Sequence, residues 1–308
     1  MRISSAYAFE SSLSNLQRRQ AQLTEAQTQL TSGKRVQRAS DDPSAAAAAE
    51  RALARMARAE AQGRALDASR NAMTLTEAAL GDAGEMLQQA RELLVRAGNG
   101  SLGDSDRAII AQNLQGLRSD LLAVANRDDG SGRYLFGGQG SDTPPLRDTP
   151  AGVVYDGSSG QALGAGGEST PMSVDGRAAF MAAPDPANPG ATISVFDMLD
   201  TAVAGLMTTG QTSAQVAQIT STAMGRLDAV AASVSSWRSR AGEALNRADA
   251  QSERFAQARL DAQTERSNAE DLDMLEAISD FQNKQTGYDA ALKTYSLVQR
   301  MSLFDYLK

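Results

Sequence analysis

Apolar residues near the start of the chain recur at alternating intervals of three and four, the spacing of a coiled-coil helix. The positions on this spacing are Ala6, Phe9, Leu13, Leu16, Gln20, Leu23, Gln27 and Leu30. The two glutamines weaken a helix pair but can fix its register. The pattern predicts an N-terminal assembly helix over residues 1–32, with an amphipathic helix packed on its own domain as the alternative. Its candidate interface residues are Phe9, Leu13, Leu16, Leu23 and Leu30.

A matching pattern lies at the other end of the chain. Its positions are Met274, Ile278, Phe281, Gln285, Tyr288, Leu292 and Tyr295. Neither terminal segment has enough large apolar residues on its other faces to be a buried core helix. We therefore expect a C-terminal assembly helix over residues 268–308 that pairs with the first helix and with copies of itself or of relatives. Its candidate interface residues are Ile278, Phe281, Tyr288, Leu292 and Tyr295.

The segments between these ends also carry helical patterns. Asp42-Pro43 is a helix start, because Asp caps the free N–H groups and Pro suits the first helical position. One long helix is predicted over residues 45–97, and another begins at Asp104 or Ser105. An apolar stripe over residues 227–244 includes Trp237, which we expect to be a core residue. Residues 33–133 and 193–267 are thus predicted to be two halves of a helical rod.

The centre of the chain is rich in residues that break helices. Seven of the eight prolines lie at positions 144–189, and thirteen of the 26 glycines lie at positions 130–190. Short strand candidates occur at residues 153–155, 172–174 and 193–196. An inserted, variable β-rich domain is predicted over residues 134–192. The predicted fold is mainly α with a small β-rich insertion, an elongated antiparallel helical bundle with paired N- and C-terminal coiled-coil helices.

Two predicted helix breaks carry opposite charge. The first contains the basic residues Lys34, Arg35 and Arg38, and the second contains the acidic residues Glu270, Asp271 and Asp273. If the two flanks run side by side, these linkers face each other. Exposed ion pairs contribute only about 0–1 kcal/mol, so this pairing is expected to set register more than stability.

Composition excludes several functions. Cysteine and histidine are absent, which excludes disulfides, zinc fingers and catalytic triads. The net charge of −7 argues against nucleic-acid binding, which usually needs a basic patch. We expect no membrane insertion and no cleavable signal peptide, because no apolar run approaches the required length. No cofactor is predicted, and the glycines of residues 137–140 lack the spacing of a phosphate-binding loop.

Several motifs resemble the flagellin superfamily. Residues 30–36 (LTSGKRV) and 39–43 (ASDDP) are similar to a segment of that group, and residues 133–138 (RYLFGG) resemble its boundary before the variable domain. The first residues, MRISSAY, and the C-terminal segments AALKTYS and LFDYL are similar to the hook-associated protein 3 branch. The resemblance covers residues 1–140 and 200–308.

The resemblance implies a structural adaptor of the bacterial flagellum and no enzymatic activity. Such a protein is exported unfolded by the flagellar type III apparatus and polymerises through its terminal helices. It lies outside the cell at the hook–filament junction. The implied partners are the first hook-associated protein, flagellin, copies of itself in a ring, and an export chaperone. A short filament flagellin is one alternative, and a secreted surface-binding adhesin is another.

Overall fold

The computed structural model describes residues 2–140, 142–163 and 170–306. Its helices are α1 Arg2–Ser32, α2 Pro43–Ala97, α3 Asp104–Ala125, α4 Gly176–Phe180, α5 Val195–Met207, α6 Ser213–Glu270 and α7 Met274–Tyr306. Its strands are β1 Leu146–Thr149, β2 Gly152–Tyr155, β3 Ala183–Pro184 and β4 Thr192–Ile193. The predicted mainly α fold with a small β-rich insertion is confirmed. The side chain of Ala6 and residue Leu307, both in the sequence motifs, lie outside the described part.

The start of α2 is fixed by the aspartate that the sequence identified. The Asp42 carboxylate accepts hydrogen bonds from the backbone N–H groups of Ser44 and Ala45, at 3.1 and 3.0 Å. These bonds, the one from Ala45 first, lower the pKa of Asp42 to about 2. The helix then continues unbroken to Ala97, as predicted, and Gly98 follows it.

The chain divides into two compact units. Unit I consists of residues 1–59 and 257–308, and unit II consists of residues 60–256. Long helices contribute to both, because α2 and α6 each contain residues of both units.

Unit II has a large apolar core. Its fully buried side chains include those of Met73, Leu80, Leu87, Leu94, Leu114, Leu121, Phe136, Phe180 and Phe196. The rings of Phe136 and Phe180 pack edge to face, with centroids 4.9 Å apart. Because the buried residues of α2, α3, α5, α6 and the inserted segment form one contiguous cluster, the insertion shares the core of the helices.

Ion pairs also join the insertion to helices of unit II. β1 and β2 form an antiparallel hairpin in which Leu146 pairs with Tyr155. From α3, Arg118 donates two hydrogen bonds to Asp148 of β1, at 2.7 and 2.9 Å. From α6, Arg226 binds Asp185 in the same two-bond manner, at 3.0 and 2.9 Å.

Three ion pairs show the relative register of α2 and α6 within unit II. Arg70 pairs with Asp249 at 3.1 Å, Glu77 pairs with Arg238 at 2.6 Å, and Arg91 pairs with Asp228. Partners later in α2 lie earlier in α6, so the two helices run antiparallel.

The strand predicted at residues 193–196 is wrong beyond its first residue. Ile193 ends β4, and the Ser194 hydroxyl accepts hydrogen bonds from the N–H groups of Phe196 and Asp197. Ser194 is therefore the N-cap of α5, and Val195 and Phe196 are buried in the first turn of that helix. Capping outweighs the strand preference of these apolar residues. Residues 172–174 also lie outside the four strands.

Trp237 lies at the margin of the core instead of inside it. It is half-buried, and its indole N–H donates a 3.0 Å hydrogen bond to the carbonyl of Ala178 in α4. The Arg240 guanidinium lies 4.5 Å from the ring centroid. A buried tryptophan needs a partner for its N–H, and here the insertion supplies one.

None of the described helices has an apolar stretch long enough to cross a membrane.

Candidate assembly surface

The two terminal helices pair within unit I. Lys34, just after α1, forms an antiparallel bridge with Asp271, just before α7. The rings of Phe9 and Tyr295 lie 5.6 Å apart, near the opposite ends of the same two helices. Moving along α1 away from Lys34 therefore means moving along α7 away from Asp271, and α1 and α7 form one antiparallel pair.

The two oppositely charged linkers contact each other. The Lys34 ammonium lies 2.7 Å from the Glu270 carboxylate, and this hydrogen bond is the main cause that lowers the pKa of Glu270. The backbone N–H of Arg35 donates to the Glu270 carbonyl at 2.7 Å, and its guanidinium donates to the Ala269 carbonyl at 2.9 Å. The N–H of Leu272 returns a bond to the carbonyl of Gly33. Main-chain bonds and charge thus both hold this junction.

The other predicted linker residues act locally. The Asp273 carboxylate caps α7 by accepting hydrogen bonds from the N–H groups of Leu275 and Glu276. Arg38 donates its backbone N–H to Asp41, and the bond lowers the pKa of that carboxyl group. Asp271 accepts a hydrogen bond from the Ser267 hydroxyl, one turn earlier in α6. Among these residues, the structure shows a charge pair across the two linkers between Lys34 and Glu270.

Among the side chains that the structure describes, the interior of unit I is built from small ones. The buried apolar residues of this part are Ala26, Val36, Ala49, Ala52, Ala59 and Ala262. The predicted α1 residues Leu13, Leu16, Leu23 and Leu30 are only half-buried. Phe9, the first of the candidate residues, is 38% exposed. The free energy gained by burial scales with the apolar area removed from water. The described part of this unit therefore gains little stability from its own packing.

The candidate residues of α7 fall on two neighbouring stripes. The inner stripe is half-buried and consists of Ala277, Phe281, Lys284, Tyr288, Ala291 and Tyr295. The outer stripe consists of Met274, Ile278 and Leu292, which are 47%, 46% and 39% exposed. The predicted residues Phe281, Tyr288 and Tyr295 therefore lie on the inner stripe, whereas Ile278 and Leu292 lie on the outer one.

Sequence reasoning missed the small and charged members of the inner stripe. Ala277 and Ala291 precede Ile278 and Leu292 by one position, so a heptad template fits either choice. Lys284 was missed because it is charged, although its aliphatic stem can cover apolar surface while its ammonium stays in water. The ammonium pairs with Asp280 at 2.7 Å.

Two family models match the chain. The bacterial flagellin N-terminal helical region matches residues 3–141, and the bacterial flagellin C-terminal helical region matches residues 222–307. Flagellar hook-associated protein 3 of Salmonella typhimurium is 30% identical over 322 residues, covering 99% of this chain and 99% of that protein.

Two solved structures from Legionella pneumophila have a similar fold. Flagellar hook associated protein-3 matches with a TM-score of 0.64 and 18% identity, covering 70% of this chain and 97% of the other. The flagellar junction protein FlgL matches with a TM-score of 0.55 and 19% identity, covering 62% and 95%. The resemblance to the flagellin superfamily is confirmed by the family models. The chain belongs to the flagellar hook-associated protein 3 family, and it is a structural, non-enzymatic junction protein of the bacterial flagellum.

Proposed function

We propose that this protein is the adaptor that joins a ring of first hook-associated protein to the flagellin filament, and that it polymerises through its terminal helices. The observation that carries the proposal is the outer stripe of α7. Met274, Ile278 and Leu292 are large apolar residues on one face, and each is more than a third exposed although α1 covers the neighbouring face.

The two stripes of α7 make different contacts in the assembly. The inner stripe, with Leu13, Leu16, Leu23 and Leu30 opposite, holds α1 and α7 of one chain together. The outer stripe docks on helices of neighbouring subunits. Fully burying a Leu, Ile or Met side chain contributes roughly 1.5–3 kcal/mol, so three such residues outweigh the exposed ion pairs of the linkers.

A packed ring or tube also explains why unit I has so thin an interior. Ordering the backbone costs about 1–2 kcal/mol per residue, and an alanine-lined helix pair recovers little of this by itself. Contacts with many copies around an axis add the missing burial. The contact between Lys34 and Glu270 fixes the register in which each subunit enters.

The partners follow from this role. Below the protein lies a ring of the first hook-associated protein, beside it lie copies of itself, and above it lies flagellin. An export chaperone accompanies the chain before it leaves the cell through the flagellar type III apparatus, and its final location is the extracellular junction. One of the similar Legionella pneumophila proteins is named a flagellar junction protein, which supports this location.

Deletion of the gene in the source bacterium tests the adaptor role. The expected cells keep hooks and release flagellin into the medium as monomer. Filaments that still grow on those hooks would contradict the role.

Charge substitutions test the division of the stripes. Ile278→Asp or Leu292→Asp is expected to abolish filament attachment while leaving the circular dichroism of the purified monomer unchanged. Asn283→Asp is the matched control, since it adds the same charge to an exposed position of α7 two positions after Phe281. Equal loss of attachment in the control would show that charge anywhere on α7 is harmful and would remove the argument for a specific face.

A further inference from the structure

The turn between α2 and α3 contains a reactive pair of residues. The chain has nine asparagines, and Asn99 is the one that glycine follows. Both Asn99 and Gly100 are exposed. The backbone nitrogen of a residue after asparagine can attack the side-chain amide carbon, and glycine, which lacks a side chain, hinders this attack least.

The turn also aims hydrogen-bond donors at the atom that gains charge during such an attack. The Oδ1 atom of Asn99 accepts bonds from the backbone N–H of Ser101 at 3.2 Å and from its hydroxyl at 3.0 Å. When the amide carbon is attacked, this oxygen becomes an oxyanion. Donors already in place stabilise the developing charge in the way that an oxyanion hole does.

We infer that Asn99 is a site of spontaneous deamidation, promoted by Ser101. The deprotonated backbone nitrogen of Gly100 forms a bond to the Asn99 side-chain carbon, the bond from that carbon to the amide nitrogen breaks, and ammonia leaves with a proton. The resulting five-membered imide is then hydrolysed by one water molecule. Opening at one carbonyl gives aspartate, and opening at the other gives isoaspartate, so no oxidant or further reactant is needed.

Either product of deamidation would disturb the local structure around position 99. The N–H of Asn99 donates to the carbonyl of Arg96, and its carbonyl accepts from the N–H of Leu102, so its main chain closes the turn. Isoaspartate inserts an extra methylene into that main chain. Either product also places a negative charge just after the C-terminal end of α2, where the helix dipole is unfavourable to anions.

The test follows the full-length protein in mildly alkaline buffer made with ¹⁸O-labelled water, with proteolytic peptides weighed over time. Label is expected at position 99 well before any other asparagine. Asn126 is the internal control, because its side-chain oxygen accepts a 2.9 Å bond from the N–H of Leu146 but arginine follows it. Conversion of Asn99 at the rate of Asn126 would overturn the inference.

Variants of Ser101 distinguish a role in promoting deamidation from a purely structural role in the turn. Ser101→Ala is expected to slow the reaction about fivefold, less than the 10²–10³ lost in a buried oxyanion hole because this turn is exposed. Ser101→Thr keeps the hydroxyl and should keep the rate. If the serine only stiffened the turn, its removal would free the amide and speed the reaction, so an unchanged or faster rate in Ser101→Ala would contradict the proposed role.

A further variant tests the nucleophile itself. Gly100→Ala is expected to suppress labelling at Asn99 strongly, because the added methyl hinders attack by the backbone nitrogen. The fold accepts this methyl, whose nearest neighbours would be atoms of Ser213 at an ordinary 3.5 Å. Undiminished labelling in this variant would show that the amide is lost by direct hydrolysis.

Discussion

Unit I and unit II share the long helices α2 and α6 but bury different kinds of side chain. The fully buried side chains of unit II include three phenylalanines, whereas the buried apolar residues in the described part of unit I are alanines and one valine. The most exposed large apolar residue of the described chain, Leu275 at 84%, lies in unit I. Exposed apolar surface of this kind marks interaction sites, so the contrast supports our proposal that unit I is completed by an assembly.

Charge separates the two units as well. Unit I carries 15 basic and 14 acidic residues, whereas unit II carries 15 basic and 23 acidic ones. The net charge of −7 therefore comes from the acidic excess on unit II. A near-neutral surface allows copies to approach closely, and a strongly acidic one keeps them soluble and apart. The division of charge thus agrees with assembly through unit I.

The largest expected effect on stability comes from the core of unit II. Phe180→Ala is expected to lower the free energy of unfolding by roughly 3–5 kcal/mol, because Phe180 is 1% exposed and packs on Phe136. Phe9→Ala in unit I is the matched change at a partly exposed ring, and it should cost far less. Chemical denaturation followed by circular dichroism measures both. Equal losses would remove the contrast between the units.

The pH dependence of stability tests whether the pair of Arg226 and Asp185 holds the insertion against α6. The hydrogen bonds from Arg226 are the main cause that lowers the pKa of Asp185 to about 2, below its ordinary value of about 3.9. The folded pKa is the lower one, so this pair stabilises unit II above pH ~4 and loses its contribution as the pH falls towards 2. Thermal melts of the wild type should show this loss.

The matched variant for that titration is Arg226→Met, which keeps much of the side chain's apolar length. It should melt at a lower temperature at neutral pH and show a smaller further loss between pH 4 and 2. A wild type and a variant with parallel pH profiles would show that Asp185 is not the group responsible.

The smallest effect is expected at the junction of the linkers. Glu270→Gln should destabilise the monomer by about 0–1 kcal/mol, since the Lys34 side chain is 40% exposed and such pairs are screened by water and salt. Leu272→Ala leaves the main-chain bond to Gly33 in place and is the control. A loss of several kcal/mol in Glu270→Gln would mean that charge, and not the main-chain bonds, holds the linkers together.

Local signals explain what the sequence predicted well. Asp42-Pro43 marks the start of α2, because capping depends on residues within one turn. Asp104 is the first residue of α3, but the N-cap is Gly103, whose N–H donates to the Asp106 carboxylate. At Ser194 the local signals conflict. The apolar residues around it indicate a strand, but its hydroxyl caps the N-terminus of α5 and a helix forms.

Non-local contacts explain what the sequence did not predict. Heptad spacing placed an apolar face on α7, but only the structure shows that α1 covers the side with Ala277 and Ala291 and leaves Ile278 and Leu292 exposed. The pairing of Arg118 with Asp148, which ties the insertion to α3, joins residues whose side chains carry no local sign of each other.

Hydrogen exchange on the free monomer tests most directly whether unit I is complete only in an assembly. Amide groups of residues 10–30 and 277–295 are expected to exchange rapidly, and those of α3 and the buried part of α2 in unit II slowly, because local opening is easiest where few apolar contacts are lost. Rapid exchange should become slow once the protein is incorporated at the hook tip. Slow exchange of both terminal helices in the free monomer, equal to that of α3, would contradict the account.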